Sequence, residues 1–402
     1  MLNLKKIGLI GLVTIFFLVS SFLVVCGAGS QKSVSNNWEW PKSMTMGTLM
    51  SGTSNQVAMA SWVPLMEKST GMKIRMLSES NYPLAGRWLK QNVISSYVFT
   101  ETNYIEELTA NKGYATREGG PNPMARLLWL GQVGYSAYLV RADSNVKTPY
   151  DLRGKKFSYP KGYTSVERLN KALLAWGNIT TDDIIIIPFS DYGSHIRGFL
   201  NGKADICLCN PMSPQAYEAE GIPGGILWLD LNPKKDPEGA ARFWEIVPER
   251  NFGECTLGVE SAKSKWVITA PFYIYTSLSN IDEDLGYHMA KWLNENFDLY
   301  KDDYISNQTM DINLVMDNIK NSLIPVHEGT KRYLDELGKW DEDLELQYKD
   351  NLELLNTYYV SYQEAINLAD NKGIKVDPDN IEWIELWENY QNEKNIKDIW
   401  KK

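Results

Sequence analysis

Histidine is scarce in this chain of 402 residues: His195, His288 and His327 are the only three, far apart in sequence. Cysteine is nearly as rare, with Cys26, Cys207, Cys209 and Cys255. No HExxH, no CxxC pair and no GxxxxGK[ST] occurs, which removes the common zinc sites and the phosphate-binding loop of nucleotide triphosphatases. A basic surplus is missing too. The formal net charge is −9, so a broad nucleic-acid surface is excluded, because phosphate binding needs a positive field. After Val25 nothing approaches the roughly 20 apolar residues of a membrane span. A serine or threonine nucleophile would need a base and an orienting acid, and no histidine lies beside the candidate loops, although distant residues could converge. The expectation is a binding protein with no cofactor and no metal.

What is present is the balance of a globular protein: 44% hydrophobic, 23% charged and 12% aromatic residues, including 14 Trp and 22 Tyr. The length suits two lobes plus an addition. Lys5 and Lys6 precede an apolar run from Ile7 to Val25, followed by Cys26-Gly27-Ala28-Gly29-Ser30 and a polar stretch to Asn37. Basic, apolar and small-residue regions in that order form an export signal. Leu23-Val24-Val25-Cys26 resembles a bacterial lipoprotein signal, with Cys26 as the lipidated first residue. Cleavage after Ala28 and an uncleaved anchor are the alternatives. Each places the globular part outside the cytoplasm, in the periplasm or at the cell surface. Cys207 and Cys209 are two apart on one strand, and buried free thiols are expected there and at Cys255.

Strands and helices alternate. Strands are expected at 43–49, 72–77, 93–98, 135–141, 156–159, 184–187, 204–208 and 266–275. Helices are expected at 54–68, 84–91, 166–176 and 192–200, with Gly71, Gly177-Asn178 and Asn201-Gly202 as stop signals. This βαβα order predicts an α/β protein with a mostly parallel sheet. The run Ile184–Ile187 reads as a strand buried on both faces. From about Lys331 the strands stop, and two helices follow at 344–369 and 381–400. Residues 331–402 carry ten basic and 17 acidic residues, yet Leu355, Tyr358, Tyr362, Trp383 and Trp387 are too many large apolar groups for a free tail. Docking on the core is expected.

Two loops between a strand and a helix look suited to a ligand. The first is Ser51-Gly52-Thr53-Ser54, where Gly52 permits a sharp turn and Thr53 or Ser54 can cap the helix. The second is Gly162-Tyr163-Thr164-Ser165, where Thr164 and Glu167 match the capping box T-x-x-E. Helix N-termini leave amides unpaired and attract anions. Ligands of open α/β sheets bind beyond the carboxyl ends of strands, so two facing lobes would offer both loops to one anionic solute. Tyr82, Thr100 and Asn210 follow other strand ends and complete the candidate set. Glu101 is expected to face solvent, Arg168 to lie on the surface and His195 to be structural.

These segments resemble the TAXI family of solute receptors for tripartite ATP-independent periplasmic (TRAP) transporters. The resemblance rests on Met46–Ser54, on Leu139-Val140-Arg141-Ala142-Asp143-Ser144 with Asp151-Leu152-Arg153-Gly154, on Gly162–Glu167, on Leu200-Asn201-Gly202-Lys203-Ala204-Asp205, and on Ile324–Tyr333. Ser78–Pro83 departs from the family's glycine-rich stretch, and its bulky side chains would reshape the pocket. The resemblance implies a two-lobed type II periplasmic-binding-protein-like fold with hinge strands, here with a helical C-terminal extension. It divides the chain into signal and linker (1–37), a first lobe (38–138 with 262–330), a second lobe (139–261) and the extension (331–402). It also implies capture of a small solute for TRAP membrane subunits; the two helix N-termini point to an organic anion, such as a carboxylate, while the altered Ser78–Pro83 stretch keeps the family's usual amino-acid or dicarboxylate ligands from being carried over. A sensor lobe for a signalling partner and an enzyme on the same fold are the competing readings.

Overall fold

Strand β4 (Ala125–Arg141) organises the molecule, because its 17 residues reach ~55 Å at about 3.3 Å per residue, far enough to serve the strands of both halves of the sheet. The computed structural model describes residues 38–396 and 399, apart from Ser80 and Gly162. The lipidation candidate Cys26 and the export segment lie outside these residues. Before β4 come β1 (Ser43–Thr48), α1 (Ser54–Thr70), β2 (Lys73–Ser78), α2 (Tyr82–Lys90), β3 (Ser96–Thr100) and α3 (Glu101–Leu108). After it come β5 (Lys156–Pro160), α4 (Thr164–Trp176), β6 (Ile185–Phe189), α5 (Tyr192–Leu200), β7 (Ile206–Cys209) and α6 (Pro214–Glu220). Then follow β8 (Ile226–Trp228), α7 (Pro237–Ile246), β9 (Asn251–Glu254) and β10 (Trp266–Ser277). Helices α8 (Glu283–Glu295), α9 (Phe297–Tyr300), α10 (Ile312–Ile319), α11 (Glu328–Glu336), α12 (Glu342–Asn371) and α13 (Ile381–Glu393) finish the described chain.

The strand order is β2-β1-β3-β10-β4-β7-β5-β6, with β8 on β4 and β9 on β10. Ala125–Ser136 of β4 run antiparallel to Ile268–Ser277 of β10, whereas Ala137–Val140 pair with β7. Strand β10 divides likewise: Phe272–Thr276 pair with β3 and Trp266–Thr269 with β9. Its register against β4 shifts beside Phe272 and again beside Ile274, and such bulges bend a strand. Three apolar groupings follow the same division. One gathers Met44 to Leu130 with Tyr273 to Trp387, and the others draw on Tyr135 to Ile268. This is a two-lobed α/β fold in which β4 and β10 are the two strands running through both lobes.

Three expectations are corrected. The sheet is mixed and not mostly parallel: among the described residues five strand pairings are antiparallel and four parallel, because β4 and β10 run against all their neighbours. Strand β6 is not buried on both faces: Ile185 and Ile186 are 49% and 44% exposed. It is the last strand of the order and among the described residues pairs only with β5, so one of its edges has no neighbour there. A run of isoleucines reports strand preference, and the sheet order decides burial. The first half of β4 was also missed as a strand; its Leu127, Leu128, Trp129 and Leu130 are all buried. Cys207, Cys209 and Cys255 are buried free thiols, as expected.

The C-terminal helices belong to the first lobe's core. Tyr362, Trp383 and Trp387 are buried within it. Their polar atoms donate to backbone carbonyls of the segment between α3 and β4: Tyr362 Oη to Thr116 at 2.9 Å, Trp383 Nε1 to Ala115 at 3.0 Å and Trp387 Nε1 to Thr109 at 2.9 Å. On the opposite side Gln347 and Asn351 of α12 both donate to the Ser322 carbonyl.

Candidate functional site

Six strands (β1, β2, β3, β5, β6 and β7) each hand the chain to a helix, and the first turns of those six helices meet around one cavity of about 90 Å³. Thr53 and Ser54 come from α1, Tyr82 from α2, Thr100 and Asn103 from α3, Tyr163 and Ser165 from α4, Tyr192 from α5 and Ser213 from α6. The first four amides of a helix have no partner within it, and aligned peptide dipoles make that end positive. The carboxyl ends of the strands thus present a lining rich in donors, at the position where open α/β sheets bind ligands.

Of the residues singled out from sequence, Thr53, Ser54, Tyr82, Thr100, Tyr163, Ser165 and Asn210 all line this cavity. Ser51 and Gly52 do not, and the Thr164 side chain lies outside what the structure describes. Gly52 has φ +85°, a turn that favours glycine, but its amide donates to Gln56 Oε1 at 3.3 Å. The second capping prediction fails in register. Tyr163 is the N-cap of α4 and no side chain caps it, so Thr164 is already the first helical residue.

Several hydroxyls are occupied. Thr53 Oγ1 accepts from Gln56 N at 3.3 Å and donates to Met50 O at 2.9 Å. Thr100 and Asn103 close a capping box on α3: Asn103 Oδ1 accepts from the Thr100 amide at 3.2 Å and from its hydroxyl at 2.7 Å. Ser54 Oγ donates to Gln132 Oε1 at 3.1 Å. These caps leave Asn103 Nδ2 buried without a partner among the described residues. The walls are aromatic. The rings of Tyr163 and Tyr192 lie 5.9 Å apart, and Tyr82 stands edge-on to Phe99 at 5.8 Å. Burial pushes the Tyr82 phenol well above its usual range, so it stays protonated and can donate.

Arg250 is the residue that the sequence reading missed. It lines the cavity, is only 5% exposed, and its Nε has no partner among the described residues. Desolvation lowers its pKa, and nearby Glu249 opposes that shift. The run Val247-Pro248-Glu249-Arg250-Asn251 contains no motif. Only the return of the chain through β9 and β10 brings it to the cleft. Tyr135, Ser136, Tyr192, Ser213 and Phe272 also line the cavity from outside the two loops singled out, whereas Asn55 adjoins Ser54 in the first of them.

The cavity is closed by contacts between the lobes. Glu249 accepts from Thr102 Oγ1 of α3 at 2.9 Å and from Arg168 Nη1 of α4 at 3.0 Å. Arg168 is therefore a half-buried ion-pair partner and not a surface residue. Tyr163 Oη donates to Met50 Sδ at 3.2 Å across the cleft. His195 is buried beneath Tyr192, their rings 4.8 Å apart, and burial drives its pKa down to about 3, so it is neutral at physiological pH.

Glu101 does not face solvent. Its carboxylate accepts from Leu323 N at 2.6 Å and Ser322 Oγ at 3.0 Å. Burial raises its pKa from 4.5 to about 7, Glu249 adds to the rise, and those two hydrogen bonds oppose it. A folded pKa above the unfolded one means that the folded state holds the extra proton. The associated stability is complete below pH 4.5 and is lost as pH rises through about 7. Glu101→Gln is expected to flatten this slope, removing a difference on the order of 2 kcal/mol after allowance for partial exposure. Urea midpoints measured from pH 4.5 to 8 check it, and parallel slopes in the two proteins would refute it.

A family described as NMT1/THI5 like matches residues 109–235, under half of the chain. No curated protein matches it. Solved structures of solute-binding proteins are similar at low identity. The alkanesulfonate-binding protein SsuA from Xanthomonas axonopodis pv. citri, bound to MOPS, is 14% identical over 76% of this chain and 96% of that one, with a TM-score of 0.38. The periplasmic aliphatic sulphonate-binding protein SsuA from Escherichia coli is 14% identical over 78% and 89%, with a TM-score of 0.37. A substrate-binding protein of an ABC uptake transporter from Streptococcus pneumoniae, with bound histidine, is 13% identical over 65% and 92%, with a TM-score of 0.40.

Proposed function

We propose that the protein is an extracytoplasmic receptor that captures a small organic anion between its lobes and delivers it to a membrane transporter. One observation carries this reading: helix N-termini from both lobes and the buried, unpaired Arg250 surround a single cavity between cores that two strands connect. Closure about β4 and β10 would bring Tyr163 to Met50 and Thr102 to Glu249, so that ligand and interlobe contacts favour the same state. Thr53, Ser54, Tyr82, Thr100, Tyr163, Ser165 and Asn210 are the proposed binding residues of sequence origin. The five family segments support a TRAP-type transporter as the recipient, and the lipoprotein-like Leu23–Cys26 supports a lipid tether at Cys26.

Thermal unfolding in the presence of carboxylates, sulfonates and amino acids, followed by small-angle scattering with any hit, tests the receptor reading. A ligand at a hundred times its Kd should stabilise the native state by about 2.7 kcal/mol and reduce the radius of gyration. Stabilisation without compaction would argue against closure. Uptake by reconstituted membrane subunits that needs an ion gradient and no ATP checks the transporter class.

A further inference from the structure

We infer that the cavity selects solutes carrying one oxyanion head group and no ammonium group, with Arg250 taking the head group. The inference rests on the receptor reading and narrows it. Among the described residues the lining contains one arginine and no aspartate, glutamate, lysine or histidine. Arg250 is buried with Nε unpartnered, and it stands in no ion pair among the described residues. Its sequence neighbour Glu249 is already engaged by Arg168 and Thr102. A buried cation without a partner is unfavourable, and a carboxylate or sulfonate seated on the guanidinium would remove that penalty with charge-assisted hydrogen bonds.

The second unpartnered atom of the lining points the same way. Asn103 Nδ2 is buried and is a donor. Both orphaned polar atoms of the cavity wall therefore require an acceptor from the ligand. An α-amino acid would bring an ammonium group that needs a carboxylate in return, and the nearby buried carboxylates are engaged elsewhere. Glu101 is held by Ser322 and Leu323, Glu106 pairs with Lys112 at 3.4 Å, and Glu107 accepts from Tyr275 Oη at 2.5 Å. Size adds a limit. The cavity of about 90 Å³ is smaller than the ~150 Å³ void that accommodates benzene, which favours a skeleton of a few carbons between the tyrosine rings.

Propionate, ethanesulfonate, alanine and propionamide share similar skeletons and differ in charge, so calorimetric titration of the full chain with each is the test. Propionate or ethanesulfonate is expected to bind. Alanine, whose ammonium would be buried without a partner, is expected to be weaker by more than about 100-fold, and propionamide by a similar factor. Arg250→Gln is expected to abolish anion binding and to leave the unliganded protein at least as resistant to urea as wild type, because an unpaired buried charge has been removed. Arg250→Lys should retain part of the affinity. Alanine binding as tightly as propionate, accompanied by compaction in scattering, would overturn the selectivity while leaving the receptor reading intact. Unchanged anion affinity in a folded Arg250→Gln protein would overturn the role of Arg250. Failure of both anions to bind at millimolar concentration would count against the inference as a whole.

Discussion

Trp383→Ala is expected to lower the unfolding free energy by about 3–5 kcal/mol. Three terms combine. The indole is 0% exposed, so its removal leaves a cavity in the first lobe. Its Nε1 donates to the Ala115 carbonyl at 3.0 Å, and the substitution orphans that carbonyl in a buried position. Its edge contact with Tyr362, 5.6 Å between centroids, is also lost. The carbonyl belongs to a strained segment in which Ala110 and Lys112 have positive φ. The same segment is also held by Tyr362 at Thr116, by Trp387 at Thr109, by the Arg117–Asp370 ion pair and by Lys90 Nζ, which donates to Gly119 and Gly120. The control is Ile381→Ala on the same helix, where the side chain is 72% exposed and the change should stay within about 0.5 kcal/mol. Urea unfolding of the three proteins measures the difference. Equal midpoints for Trp383→Ala and Ile381→Ala would show that the extension is an appendage and not part of the core.

How much of this was legible before any coordinates depended on the range over which each signal acts. Local signals read well. Thr53 as a cap, Gly71 as a helix stop and the alternation of strands with helices follow from residues within a few positions of one another, and the structure contains them. The tail aromatics were recognisable as core because Tyr362, Trp383 and Trp387 have no physical use on a solvated helix. The isoleucines of β6 misled, because exposure there depends on which strand comes last in the order. Thr164 misled by one residue, since T-x-x-E is satisfied in the letters while the backbone starts the helix at Thr164 itself. Arg250 was invisible for the strongest reason. Its role depends on Glu249 being taken by Arg168, a residue 81 positions away, and by Thr102, 147 positions away. No window along the chain contains that competition.

That competition is also where the second large effect is expected. Glu249→Ala should destabilise the protein by about 3–5 kcal/mol, the range for breaking a buried ion pair by removing one partner. The carboxylate is 6% exposed and Arg168 16%, so water cannot readily replace the lost acceptor. Arg168 would also be left beside Arg250 with no negative charge between two guanidinium groups. Glu249→Gln separates the contributions. The amide keeps an oxygen for Thr102 and Arg168 but carries no charge, so it should recover the packing and part of the hydrogen bonding while leaving the two cations uncompensated. Thr102→Val isolates the interlobe bond and should cost only about 1 kcal/mol, expressed in closure more than in unfolding. An anionic solute supplies the missing charge at Arg250, so its stabilising effect is expected to be larger in Glu249→Gln than in wild type. Urea unfolding of each variant, with and without the bound anion, gives all four comparisons. If Glu249→Ala unfolds at the wild-type midpoint, the ion pair contributes nothing. If the anion stabilises Glu249→Gln no more than wild type, the cavity does not feel the charge balance at Arg250.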